Sequence, residues 1–183
     1  MAEVVAALAY LRTKEIVHRD LKPGNIVLDQ DYHLKLIDFG TCKVFNTDLQ
    51  TEINAYRKKI PRNETCGEIK LARVNSLVGT EEYLAPETLD DTEVSYACDY
   101  WSLGVILYQL LCGVTPFKGT ESEATFQNIR DFSEINYPKG IVIDPVAKSL
   151  IEQLLIKDPR QRLGYNDIEE IMSHPYFTDI NWH

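Results

Sequence analysis

Residues 16–29 read Ile-Val-His-Arg-Asp-Leu-Lys-Pro-Gly-Asn-Ile-Val-Leu-Asp. β-Branched and apolar residues at both ends flank a polar centre that holds a proline and a glycine. That pattern predicts two short strands around an irregular loop. Working backwards, residues 2–14 place Val4, Leu8 and Leu11 at helical spacing, with Val5 adding a second stripe. Working forwards, His33–Gly40 (HLKLIDFG) alternates Leu34 and Leu36 with Lys35 and ends in Asp38-Phe39-Gly40, a strand running into a tight turn. From Ser95 onward the chain reads as helices. Residues 95–113 are apolar on every side and stop at Gly113, which suits a buried central helix. Residues 121–132 are amphipathic. Residues 144–157 have Asp144 as N-cap, Pro145 in the first turn, and Val146, Leu150, Ile151, Leu154 and Leu155 on one face. A last short helix is expected to start from Asn166. The fold class expected is α+β, predominantly α.

Between these regions, residues 46–73 change character. Six basic residues (Arg57, Lys58, Lys59, Arg62, Lys70, Arg73) stand against four acidic ones, and a Pro-Arg-Asn turn signal sits among them. The segment reads as a long surface loop. The whole chain is acidic, with a net charge of −9 over 183 residues, which argues against a nucleic-acid or anionic-membrane surface. Cys42, Cys66, Cys98 and Cys112 form no CxxC pair, so neither a zinc ribbon nor a redox motif is expected. With no signal peptide in view, reduced thiols and a cytoplasmic, or also nuclear, location are the expectation. The apolar run Trp101–Val114 is too short to span a bilayer.

The chemistry-bearing residues come in order: His18-Arg19-Asp20-Leu21-Lys22-Pro23-Gly24-Asn25, then Asp38-Phe39-Gly40, then Ala85-Pro86-Glu87. Asn25 follows Asp20 by five residues and Asp38 follows it by eighteen. A lone Asp or Asn in a loop is usually a turn residue or a cap. The ordered group has a different logic. Transfer of a phosphoryl group to a hydroxyl needs a carboxylate to orient the nucleophile and take its proton, and Asp20 suits that role. Lys22 can offset charge building on the transferring group. Asn25 and Asp38 offer hard oxygen ligands for Mg²⁺, which bridges the phosphates of ATP. Gly40 is expected to make the turn that aims Asp38, and Phe39 is expected to pack.

Taken together these motifs resemble the eukaryotic protein kinase family, and the Lys-Pro after HRDL resembles its serine/threonine class. The resemblance covers residues 2–182 outside the insertion. It implies the C-terminal lobe of a kinase fold over residues 1–177, partial, with 178–183 as the end of the catalytic domain. The architecture it implies is a helical bundle around a buried central helix, with short β-hairpins at the catalytic face. It also implies ATP and Mg²⁺ as cofactors and protein substrates as partners. Val27 resembles the floor of the adenine site. GTEEYLAPE (79–87) resembles the substrate-binding loop, with Thr80 expected to hydrogen-bond Asp20 and Lys22. Asp99 resembles the buried aspartate that braces the catalytic loop, and Arg162 the arginine that pairs with Glu87. RLG followed by HPYFTDINW is similar to the end of the AGC-group catalytic domain. DFGTCKVF with ARVNSLVGTEEYLAPE resembles the phosphoinositide-dependent subgroup, which phosphorylates other kinases. By the same resemblance Ser76 is a phosphosite whose phosphate Arg19 and Lys43 clamp.

Three departures stand out. Gly24 takes the place of a glutamate that in AGC relatives holds basic substrate residues. The segment from Gly40 to Ser76 is longer than in relatives, so residues 46–73 read as an insertion, tolerated at little cost in stability, with Arg57-Lys58-Lys59 as a candidate docking cluster. No GxGxxG loop, VAIK-type lysine or partner glutamate occurs in the 183 residues, and Met1 stands where a helix interior should already be running. The expectation is therefore a lobe whose small N-terminal partner is missing and which alone transfers little phosphate. Three classes stay open: an enzyme, a lobe-only binding module or decoy, and a remnant with no role.

Overall fold

The computed structural model describes residues 1–59, 81–90 and 94–182. Helix α1 (Ala2–Thr13) buries the four residues its periodicity singles out, Val4, Val5, Leu8 and Leu11. Strands β1 (Ile16–Val17), β2 (Ile26–Leu28), β3 (Leu34–Leu36) and β4 (Lys43–Val44) form two antiparallel pairs. In the first, Ile16 faces Val44 and Val17 faces Lys43. In the second, Ile26 faces Leu36 and Leu28 faces Leu34. Both pairs lie among residues 16–44 and frame the loop between β1 and β2.

The rest is helical. After α2 (Thr47–Lys59) come α3 (Pro86–Leu89), α4 (Ala97–Cys112), α5 (Ser122–Asp131), α6 (Pro145–Leu154) and α7 (Glu169–Met172). Helix α4 is the centre of the bundle: every residue from Ala97 to Tyr108 is buried, as expected of a helix apolar all round. It ends on Gly113 in the left-handed conformation at φ 76°, a backbone state that glycine adopts at least cost. Helix α6 crosses α4 closely at Gly104, where a Cβ would fall 2.9 Å from Leu154 Cβ. The predominantly helical α+β reading holds.

Several local expectations are corrected. Residues 47–59 are helical rather than a loop. Asn46 Oδ1 accepts the Leu49 N–H at 2.9 Å, Asp48 occupies the first turn, and Leu49 and Ile53 give a narrow half-buried stripe. The remaining insertion residues, including Arg62, Cys66, Lys70 and Arg73, lie outside the described residues, as do the side chains of Arg57, Lys58 and Lys59. On α6 the buried face is Ala147, Leu150, Ile151 and Leu154, while Val146 stands 36% exposed in the first turn. The last helix starts at Glu169 rather than after Asn166; its N-cap position is Ile168, and Asp167 Oδ1 takes the Glu169 N–H at 3.1 Å. Cys42, Cys98 and Cys112 are free thiols. Among the described residues no helix is long and apolar enough to cross a membrane.

Candidate active site

The loop between β1 and β2 is held from below by α4. Asp99, buried in the first turn of that helix, accepts the His18 N–H on Oδ2 and the Arg19 N–H on Oδ1, each at 2.8 Å. Burial pushes its carboxyl above the ordinary range, and the two backbone donors pull the other way. The grip holds Arg19 in the left-handed region at φ 67°, a conformation that costs a non-glycine residue roughly 1–2 kcal/mol. Asp99→Asn, equal in size, would turn one acceptor oxygen into an N–H₂ facing a donor. The expected loss is about 1–3 kcal/mol of unfolding free energy, read by urea denaturation.

His18 is fully buried and links this loop to the Asp-Phe-Gly turn. Its Nδ1 accepts the Asp20 N–H at 3.3 Å, and Nε2–H donates to Ile37 O at 3.0 Å. Phe39 packs edge-on against the His18 ring at 4.9 Å between centroids, while 38% of it stays exposed. Three further bonds register the two segments: Ile37 N–H to Asn25 O at 3.0 Å, Thr41 Oγ1–H to His18 O at 3.2 Å, and Arg19 Nε–H to Thr41 O at 2.5 Å. With Ile26 opposite Leu36, Asn25 and Asp38 emerge at the same end of one strand pair. The residue that makes the turn is Asp38 itself, at φ 61°, and not Gly40. Gly40 instead donates its N–H to Asp38 Oδ1 at 3.2 Å, and a Cβ there would press on that oxygen at 3.1 Å.

Asp20 is the hub of the polar cluster. Its Oδ2 meets Lys22 Nζ at 2.9 Å and Asn25 Nδ2 at 2.9 Å, and its carbonyl takes a second bond from Asn25 Nδ2 at 2.7 Å. Both amide hydrogens of Asn25 are thereby used, which aligns the side chain and leaves Oδ1 as its acceptor. Asn25 Oδ1 and the Asp38 carboxylate are a hard-oxygen donor pair of the kind Mg²⁺ takes. Among the described residues no cluster of three or more His, Cys, Asp or Glu side chains could hold a metal ion. Val27, in the middle of β2, is 37% exposed.

Three pairs of anticipated residues remain. Arg162 and Glu87 meet as a buried bidentate pair at 2.6 and 2.9 Å. Arg19 and Lys43 lie near the paired β1 and β4 edge, Lys43 opposite Val17 with its Nζ over the Phe45 ring at 4.9 Å. The phosphosite Ser76 and the loop residue Thr80 lie outside the described residues. Sequence reading missed Arg12, which donates to Tyr100 Oη at 3.0 Å, to Gly164 O at 2.9 Å and to Asn166 O, and so ties α1 to the centre of the bundle. An arginine in the last turn of a helix carries no local signal of such a role.

Comparison with known proteins gives a consistent result. A family model described as "Protein kinase domain" matches residues 1–177. The chain is 42% identical to RAC-beta serine/threonine-protein kinase A of Xenopus laevis, over 99% of this chain and 32% of that protein. It is 40% identical to RAC-beta serine/threonine-protein kinase of Homo sapiens, over 99% of this chain and 33% of that protein. It is 41% identical to Phototropin-1A of Oryza sativa subsp. japonica, over 99% of this chain and 20% of that protein. The chain thus spans a third of these relatives' length or less.

Proposed function

Since the chain belongs to the protein kinase domain family, we propose that its residues carry the transfer of the ATP γ-phosphoryl group to serine and threonine hydroxyls of proteins. The observation that carries this reading is the Asp20 cluster: a carboxylate held by Lys22 and Asn25, at the rim where Asp38 is turned out. Asp20 orients the incoming hydroxyl and takes its proton. Lys22, already 2.9 Å from that carboxylate, faces the same group and offsets charge developing on it. Asn25 Oδ1 and Asp38 would hold Mg²⁺, which when bound neutralises phosphate charge. The floor of the adenine site is Val27. Kinase-type domain boundaries at residue 177, with 178–183 as the end of the catalytic domain, belong to the same reading.

Ser76, once phosphorylated, would be clamped by Arg19 and Lys43, with Thr80 bonded to Asp20 and Lys22. The likeness of the activation segment to the phosphoinositide-dependent subgroup would make other kinases its protein substrates, in the cytoplasm and nucleus. Gly24 offers no carboxylate at a position where AGC relatives hold basic substrate residues. A built Cβ there meets nothing within 4 Å, so the place is open rather than filled by another group.

The 183 residues contain no GxGxxG loop and no VAIK-type lysine. Those parts align the phosphates, and positioning is most of phosphoryl-transfer catalysis. The 183-residue chain alone is therefore expected to phosphorylate myelin basic protein at or near background in the presence of ATP and Mg²⁺. Efficient phosphorylation by this chain, abolished by Asp20→Asn, would contradict that expectation. A non-catalytic binding module is the second reading; the intact set of Asp20, Lys22, Asn25 and Asp38 weighs against it.

A further inference from the structure

Residues 81–83, the middle of the segment that resembles a substrate loop, are each held by side chains from a different place. Tyr83 is fixed by α4: Ser102 Oγ–H donates to its carbonyl at 2.8 Å, and its own hydroxyl donates to Gln109 Oε1 at 2.8 Å. Glu82 is fixed by the turn after α4, through Thr115 Oγ1–H and through Lys118 Nζ at 3.6 Å. Glu81 is held by the start of α5, where Ser122 Oγ–H donates to its Oε1 at 2.7 Å. Glu81 itself is only 6% exposed. Of the three hydroxyls that anchor this segment, Ser102 and Thr115 are buried at 7% and 6%, whereas Ser122 belongs to an exposed residue. Of those three hydroxyls it is the one that a modifying enzyme can reach. It is flanked by Glu121 and Glu123, next to exposed Thr120, so the surface around it is acidic.

We infer that Ser122 is a phosphorylation site and that its hydrogen bond to Glu81 is a latch on the substrate loop which the phosphate opens. The inference rests on the phosphotransferase reading above. The modifying enzyme is a separate serine/threonine kinase that accepts acidic flanking residues, with ATP as co-substrate. Ser122 Oγ bonds to the γ-phosphorus, the bond from that phosphorus to the β–γ bridging oxygen breaks, ADP leaves, and the hydroxyl proton passes to the modifying enzyme's base. Two changes follow at once. The Ser122 hydroxyl no longer donates to Glu81 Oε1, and a group carrying about −1.5 to −2 charge stands where it was. Ser122 is the first residue of the ten-residue helix α5, whose N-terminal end favours negative charge, and Lys118, paired with Glu82, lies four residues before it. Glu81 has a like charge facing it at short range in a nearly buried place, where repulsion is poorly screened. The carboxylate is the group that moves, and the loop moves with it. Ser122 is a positioning residue: it reaches the chemistry only through Glu81.

The test uses the full gene product that contains these residues. Incubation with ATP, Mg²⁺ and an acidophilic serine/threonine kinase, followed by peptide mapping, is expected to place a phosphate on Ser122 that Ser122→Ala lacks. Ser122→Asp is expected to raise KM for myelin basic protein about tenfold, the scale of one lost charge-assisted hydrogen bond. KM for ATP and kcat should each stay within about threefold. Deuterium uptake over residues 81–90 should rise while uptake over 97–112 stays unchanged, which shows that the bundle remains folded. Glu81→Gln in the Ser122→Asp background removes the repulsion and should restore KM and uptake. The inference is overturned by no phosphate at Ser122, by Ser122→Asp with wild-type KM and uptake, or by no recovery with Glu81→Gln. A wild-type protein that transfers no phosphate at all would instead overturn the phosphotransferase reading, and deuterium uptake would still report on the latch.

Discussion

Arg162→Ala is expected to lower the unfolding free energy by about 3–5 kcal/mol, the usual loss when one member of a buried ion pair is removed. The guanidinium is fully buried, and each of its N–H donors is engaged. Nη1 reaches Glu87 Oε1 and Ala97 O, Nη2 reaches Glu87 Oε2 and Lys157 O, and Nε reaches Ile156 O. It also stacks over the Trp101 ring at 5.1 Å. Alanine would remove the charge that balances Glu87 and the donor that three carbonyls share. Lysine would not repair the site, because an ammonium cannot reproduce a planar fork that spans five acceptors. The double replacement Arg162→Met with Glu87→Leu should cost less than either single change, since it leaves no buried charge behind. Urea denaturation of the wild type and of each variant reads these differences. A loss below about 1 kcal/mol for Arg162→Ala would show that the pair is not the clamp its geometry indicates. Glu87 lies in the first turn of α3, so the pair fixes that short helix to the bundle.

The second large effect is on rate. In the full gene product, Asp20→Asn should lower kcat by about 10²–10⁴-fold, the range for loss of a positioned general base. KM for ATP should change little, since Val27, Asn25 and Asp38 are left in place. The stability cost should be small. The amide oxygen can still accept from Lys22 Nζ and Asn25 Nδ2, both now 2.9 Å from Oδ2. A large drop in kcat with an unchanged melting curve separates a catalytic role from a structural one. Equal losses in both would assign Asp20 to the scaffold.

Much of this could be read from the chain before any coordinates. The motifs at 18–25, 38–40 and 85–87 carry their geometry with them, because each fixes a backbone turn as well as a side chain. The buried helix Ala97–Cys112 announces itself by being apolar on all sides, and Asp144-Pro145 marks a helix start in two residues. What escaped was decided by contacts that composition does not encode. Residues 47–59 are too polar to register as a helix, and the decisive feature is one Asn46 side chain capping Leu49 N–H. The left-handed residue of the Asp-Phe-Gly turn was assigned to glycine on propensity, but the bonds from Ile37, Thr41 and Arg19 overrule propensity and put Asp38 there. Arg12 gave no warning, since its acceptors lie at Tyr100 and at residues 164–166, far away along the chain.

The central claim is that the cluster around Asp20 performs phosphoryl transfer to serine and threonine hydroxyls. The measurement that tests it most directly is the initial rate of labelled γ-phosphate transfer from ATP to myelin basic protein by the full gene product, wild type beside Asp20→Asn, with phosphoamino-acid analysis of the acceptor. The account predicts Mg²⁺-dependent phosphoserine and phosphothreonine from the wild type and a rate at least about 10²-fold lower from the variant. Transfer that survives Asp20→Asn undiminished, or no transfer by the wild type, would contradict it.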